Sequence, residues 1–273
     1  MKKRTALTIA LALCLILSFS LTACGGNGGS GGGTTVTVGT SNDYPPFCYL
    51  DENGELKGYE IAVLNAVDEI LTEYKFKYEV LDFKNILTSL ESGRVDLAAH
   101  QFGDTPERRE KFLFGKVGYF SSSSYIVVAP DKEGISSLDD LVGLKVSVPP
   151  ASNWAAALEK YNADHPDSLI DIQYYEATPD IFVTNMDTGV IDAAILTESD
   201  VKLTNTFWGK SYKTVGEPID IGESDLGSLF VFRKDETTLA DAVDKALTQL
   251  KDSGELDKLS KKSVDDFFAN ASK

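Results

Sequence analysis

Two stretches of this chain, ESGRVDLAA (91–99) and DTGVIDAAI (187–195), run in the same order: a helix end, a glycine, one residue, a hydrophobe, an aspartate and a short apolar strand. A helix that stops at glycine and leads at once into a buried strand belongs to a strand–helix–strand unit with a parallel sheet. Its recurrence farther down the chain predicts two similar α/β lobes.

The surrounding pattern agrees. Val36 and Val38 alternate in a first strand, and Phe76, Tyr78 and Val80 in a second; between them Ile61, Leu64, Val67 and Leu71 recur at helical spacing. Phe83, Ile86, Leu87 and Leu90 form another apolar helix face, and YIVVAP reads as a longer strand ending at Pro130. A second series starts at Leu138. KVSVP is a strand, Trp154, Ala157, Leu158 and Tyr161 mark a helix, and IDIQYYE is a strand. Thr178-Pro179-Asp180 starts a helix, with a cap residue and a first-turn proline. SLFVFR is a last strand before a helix with Leu239, Val243, Ala246 and Leu250 on one face. VVAPDKEG and VGEPIDIG, each with a proline, are the segments expected to cross between lobes. Residues 36–128 and 222–273 then form lobe 1, and 129–221 lobe 2: an α/β chain of two Rossmann-like lobes with a two-segment hinge.

Residues 1–23 stand apart. Lys2, Lys3 and Arg4 precede an apolar run from Ala6 to Phe19, too short for a span of ~20 residues. The run ends at Leu21-Thr22-Ala23-Cys24, which resembles the lipobox of bacterial lipoproteins. That resemblance implies a signal peptide and a lipid on Cys24, anchoring the mature chain on the extracytoplasmic face of the cell membrane. GGNGGSGGGTT then reads as a flexible tether, placed at residues 24–35. Gly26, Gly28 and Gly31 have the spacing of a dinucleotide fingerprint, but no strand precedes them, and no cofactor is expected. The 26 Lys and Arg of the whole chain fall to 23 once the three basic residues leave, against 42 Asp and Glu, a formal charge of −19. Such a surface repels nucleic acid and anionic lipid. Cys14 leaves with the signal and Cys24 carries lipid, so Cys48 has no disulfide partner; His100 and His165 lie far apart and no CxxC exists, so no metal site is expected.

GRVDLAAHQFGDTPERREKFLF is the most specific stretch. With Asp96 and Arg108 at the spacing of a D-x8-T-P-E-R pattern, it resembles the type II extracellular solute-binding proteins for polar amino acids. GTSNDYPPF, GELKGYE and SLDDLVGLKVSV match the same family in order, over essentially the whole mature chain. The resemblance implies a periplasmic binding protein-like type II fold. It also implies the binding component of an ATP-driven importer, a monomer that closes like a clamshell on an amino acid and delivers it to a membrane permease.

An amino acid brings a carboxylate and an ammonium whose hydration a site must replace. Arg108 offers a planar fork suited to a carboxylate, whereas Arg109 also reads as a surface partner of Glu107 or Glu110. In VPPASNWAAAL a strand runs into a helix, so the N–H groups of Ser152, Asn153 and Trp154 form an anion site, and Ser152 or Asn153 can also cap the helix. The resemblance places Tyr44 of YPPF and Tyr59 of KGYE on either side of the ligand side chain, with Phe102 and Trp154 extending the slot. Many relatives have small hydroxyl or glycine residues where this chain has His100 and Gln101, and Ser or Thr where it has Gly103. Where many relatives grip the ammonium with an aspartate, this chain has Thr197, with Glu198 beside it. Glu198 or Asp104 is the expected replacement. AAHQFGDTPER with NWAAAL is more similar to the cystine-binding branch than to the glutamine, histidine or arginine branches, so cystine is the expected ligand. The alternative from another class is an enzyme on the same fold, resembling cyclohexadienyl dehydratase, with Asp104, Glu198 or His100 as acid or base.

Overall fold

The computed structural model describes residues 33–175 and 179–271. The signal segment, Cys24, most of the tether and the cap expected at Thr178 lie outside them. In chain order the first part holds β1 (Thr34–Thr40), β2 (Asp43–Tyr44), β3 (Cys48–Leu50), β4 (Leu56–Lys57), α1 (Tyr59–Ile70), β5 (Tyr74–Val80), α2 (Phe83–Glu91), β6 (Leu97–Ala98), α3 (Pro106–Lys111) and β7 (Leu113–Phe114). The second holds β8 (Ser124–Val128), a 3₁₀ turn at Leu138–Leu141, β9 (Lys145–Val148), α4 (Asn153–Asp164), β10 (Asp171–Tyr174), α5 (Pro179–Asp187), β11 (Ala193–Thr197), α6 (Glu198–Trp208) and β12 (Lys213–Val215). β13 (Val231–Phe232), α7 (Thr237–Asp252) and α8 (Glu255–Ala271) close the chain.

Two five-stranded sheets result, ordered β5-β1-β6-β13-β7 and β10-β9-β11-β8-β12. In each, the first strand of the parallel set (β1, β9) lies between the second (β5, β10) and the third (β6, β11) and parallel to both, and an antiparallel strand (β13, β8) takes the fourth place. Parallel neighbours need a crossover, and α1 and α2, then α4 and α5, supply it. The two repeated segments end on β6 and β11, the third strand of each sheet. Their shared aspartates do the same work twice. The Thr37 N–H donates to Asp96 Oδ2 at 2.9 Å, and Arg233, just past β13, meets Oδ1 at 3.3 Å. The Lys145 N–H donates to Asp192 Oδ2 at 3.1 Å, and Lys132, past β8, meets Oδ1 at 2.9 Å. Each carboxylate thus ties the start of the third strand to the first strand and to the chain leaving the fourth.

β8 places the first crossing upstream of VVAPDKEG. Val127 and Val128 are fully buried in the second sheet, where β8 pairs with both β11 and β12. Pro130 follows the end of this strand, and its carbonyl accepts from Lys213 Nζ at 3.1 Å. The chain crosses between Phe120 and Ser124 and returns through 219–228. The two passages run antiparallel, joined by Ser228 N–H to the Phe120 carbonyl (2.8 Å) and Tyr119 N–H to the Ser228 carbonyl (3.1 Å).

Val38, Leu64, Val67 and Phe230 centre the core on one side of the first sheet, and Ile126, Val146, Leu158 and Ile195 that of the second. Fully burying one such side chain contributes roughly 1.5–3 kcal/mol. α8 anchors Leu256 in the first core. Farther along, Phe267 lies 4.9 Å from Tyr49 of β3 and 5.0 Å from Phe207 of α6, so the last helix touches elements of both halves. Among the described residues no helix is long and apolar enough to cross a membrane.

Candidate ligand-binding site

Loops leaving the carboxyl ends of parallel strands form the crevice of an open α/β sheet. Here the loops of both sheets converge on one cavity of about 110 Å³. Tyr44 follows β1, His100, Gln101 and Phe102 follow β6, Pro149 and Ser152 follow β9, and Thr197 ends β11. The crossing passages add Phe120, Ser122, Glu223 and Ser228. A second cavity of about 50 Å³ shares Tyr44, Pro149 and Trp154 with the first and continues to Phe182 and Asp200.

One wall is aromatic. The Tyr44 ring stacks on His100 at 5.3 Å, Phe83 lies 4.7 Å from His100, and Phe102 lies 5.6 Å from Phe83. His100 is buried, with Nε2 2.8 Å from Ser41 Oγ. Burial pushes its pKa down to about 4 against the pull of Asp43, so at neutral pH it is an uncharged ring of the wall. Gln101 receives no less support: its N–H donates to Glu60 at 2.9 Å, and its Oε1 accepts from Ser228 at 3.0 Å.

Tyr59 is not in this wall. It is 2% exposed, in the core of the first sheet, and its hydroxyl donates to the Tyr119 carbonyl. Gly58 explains the difference, because a Cβ there would lie 2.1 Å from the Phe47 carbonyl oxygen. With no side chain in the way, the first turn of α1 seats inward. The aromatic that opens a helix beside the cavity is Phe83 of α2.

Arg108 lines the cavity and spans it. Its Nη1 donates to the Gly103 carbonyl and its Nη2 to the Ala151 carbonyl, both at 3.0 Å, joining the loop after β6 to the loop after β9. Its guanidinium also lies 5.4 Å from the Phe102 ring centre. Facing it is the start of α4. Ser152 caps that helix by accepting from Ala155 N–H at 3.0 Å, and its own N–H donates to Pro149 at 3.3 Å. The expected set of three free donors therefore narrows to the N–H groups of Asn153 and Trp154. The Trp154 indole N–H donates to Ser124 Oγ at 2.8 Å, which fixes the ring against the cavity.

The expected amine carboxylates do not reach the cavity. Glu198 is exposed on the first turn of α6. Thr197 lines the cavity, but its hydroxyl caps α6, donating to Asp200 Oδ2 at 2.7 Å and accepting from Asp200 N–H at 3.1 Å. Asp104 is 4% exposed and held by Arg109 at 2.6 Å and by the Ser224 hydroxyl at 2.7 Å. Arg109 thus pairs with Asp104, not with Glu107 or Glu110. Gly103 contributes its carbonyl and a close approach: a Cβ there would lie 1.8 Å from Glu223 Cδ. Glu223 itself lines the cavity, and Asn153 Nδ2 donates to its Oε1. No periodicity in GESDLGS marks it in the sequence. Asp200, buried at the second cavity, accepts from the Tyr44 hydroxyl at 3.2 Å, a hydrogen bond between the two halves.

Cys48 is fully buried, and burial raises its thiol pKa far above the ordinary range, so it remains protonated and unreactive. Among the described residues no cluster of three or more His, Cys, Asp or Glu could hold a metal ion.

The family profile described as bacterial extracellular solute-binding proteins, family 3, matches residues 36–266. The L-cystine-binding protein TcyJ of Bacillus subtilis is 39% identical over 228 residues, 84% of this chain and 83% of that protein. The L-cystine-binding protein TcyK of the same organism is 35% identical, covering 86% of this chain and 85% of that one. A solved structure described as a putative L-cystine ABC transporter from Listeria monocytogenes superposes with a TM-score of 0.78 at 37% identity, covering 85% of this chain and 96% of that one.

Proposed function

The chain belongs to family 3 of the bacterial extracellular solute-binding proteins, whose members matched here are binding proteins and not enzymes, and on that premise we propose that it captures an amino acid, L-cystine first among the candidates, and delivers it to an ABC permease. One observation carries the reading: Arg108 stands in a cavity lined by the strand ends of both sheets, opposite the start of α4. A cation with forked donors and a helix N-terminus together suit a carboxylate brought in from water. The Arg108 guanidinium now rests on two carbonyls, which a carboxylate would replace as the better acceptor.

The two sheets act as lobes that close about the crossing passages. An elongated ligand fits the arrangement of two cavities in series, its far half reaching past Tyr44 and Trp154. Cys24 carries the lipid that holds a monomeric mature chain to the outer face of the membrane.

A thermal-shift panel tests the proposal. A ligand at ~100 times its dissociation constant adds ~2.7 kcal/mol to stability. Cystine is expected to raise the melting temperature more than glutamine, histidine or arginine, and the Arg108→Ala variant to fold but lose the shift. A short polar amino acid that outranks cystine refutes the ligand. A full shift in Arg108→Ala refutes the carboxylate site.

A further inference from the structure

A zwitterion needs an anion beside the cation that holds its carboxylate. Among the described residues lining the main cavity, Glu223 is the carboxylate. The other acids nearby are engaged elsewhere. Asp104 is held by Arg109 and Ser224, Asp200 by Tyr44 and Thr197, and Glu60 by Tyr119 and Gln101. Glu223 meets a neutral amide, Asn153, at its Oε1.

Its position is built from both sides. Ser224, the next residue, gives both its N–H (3.2 Å) and its hydroxyl (2.7 Å) to Asp104, which pins the returning passage to the loop after β6. In that loop residue 103 has no side chain, and the Glu223 carboxyl group occupies the space that a Cβ there would take. The carbonyl of the same Gly103 receives Arg108. Cation and anion therefore flank a single residue, a spacing suited to a carboxylate and an ammonium on one carbon. Burial, with Asp104 adding to it, raises the pKa of Glu223 despite the opposing influence of Asn153 and Arg108, so a second cation at this place would be welcome.

We infer that Glu223 binds the α-ammonium of the ligand, in the role for which the chain has no carboxylate at Thr197, and so selects amino acids over acids of equal length. This rests on the proposed amino-acid binding and deepens it.

The test compares L-cystine with 3,3′-dithiodipropionate, which has the same disulfide and carboxylates but no amines. Both are titrated calorimetrically into wild-type protein, Glu223→Gln and Glu223→Asp. Glu223→Gln retains an acceptor for Asn153, so folding is expected to survive, with circular dichroism as the check. The expected result is a cystine affinity lowered about 30-fold or more in Glu223→Gln, as for truncating one side of a buried charge pair. The amine-free acid is expected to bind Glu223→Gln at least as tightly as wild type, and the cystine affinity of Glu223→Asp to fall between those of wild type and Glu223→Gln. If wild type binds cystine and Glu223→Gln binds it equally or more tightly, Glu223 is overturned and the proposed function stands. If wild type binds neither cystine nor any amino acid of the panel, the proposed function itself fails, and Glu223 with it.

Discussion

Glu60 and His100 are buried titratable groups with opposite leanings. Burial raises Glu60 to a pKa of about 7 in spite of the hydrogen bonds from Tyr119 and Gln101, and lowers His100 to about 4. The folded protein holds the Glu60 proton more tightly than the unfolded chain does, whose carboxyl titrates near 4.5. That contribution is complete below pH 4.5 and is lost as the pH rises toward 7. The His100 contribution runs the other way, complete above 6.5 and lost as the pH falls toward 4. Between 4.5 and 6.5 the two oppose each other. In Glu60→Gln only the histidine slope remains, so urea denaturation is expected to show the variant gaining on wild type by about 1 kcal/mol per pH unit across this window. A gap that stays constant with pH refutes the Glu60 assignment. The same scale shows what the sequence left open. Tyr59 and Phe83 each open a helix, and periodicity marks both starts equally. Which first turn faces the core depends on how the helix docks, and Gly58 settles that for Tyr59 through a contact with Phe47, eleven residues upstream. Glu223 is one of 42 acids in a stretch without period, and only the fold brings it to Gly103.

Elements were more legible. The repeated glycine–hydrophobe–aspartate–strand pattern is local, and each copy leads to the third strand of its sheet. What the pattern could not tell is why the aspartate recurs. Asp96 and Asp192 each accept an N–H from the first strand and a cation from beyond the fourth, contacts distant in sequence. Asp96→Ala and Asp192→Ala are each expected to cost about 1–3 kcal/mol in urea denaturation, since each leaves a backbone N–H without its acceptor and removes an ion pair. Ligand affinity per folded molecule should not change, because neither aspartate lines the cavity. A variant with unaltered stability and lost binding would move that aspartate into the site. β8 shows the limit of pattern. YIVV is apolar and extended whether it belongs to the first lobe or the second, and the following proline made its end look like a linker. Pairing on both edges decides the matter.

At the scale of the whole molecule, contacts that join the halves among the described residues, besides the crossing passages, include Arg108 to the Ala151 carbonyl, Tyr44 to Asp200, and Phe267 and Phe268 of α8 to Phe207 of α6. The first two sit at the cavity. The third does not, and its helix is seated on the first half by Leu256 and Leu259. For lobes that open and shut, this last aromatic contact weights the balance between the two states while the cavity is still empty. An apparent affinity is the intrinsic one scaled by the fraction of molecules already competent to bind, and that fraction is common to every ligand. Phe267→Ala is therefore expected to weaken cystine and a poorer amino acid by the same factor, measured by calorimetry, and to leave their ratio untouched. A changed ratio would show that α8 reaches the cavity wall. Under the proposed closure, the last described helix sets the strength of the grip, while the choice of what is gripped belongs to residues far from it in sequence.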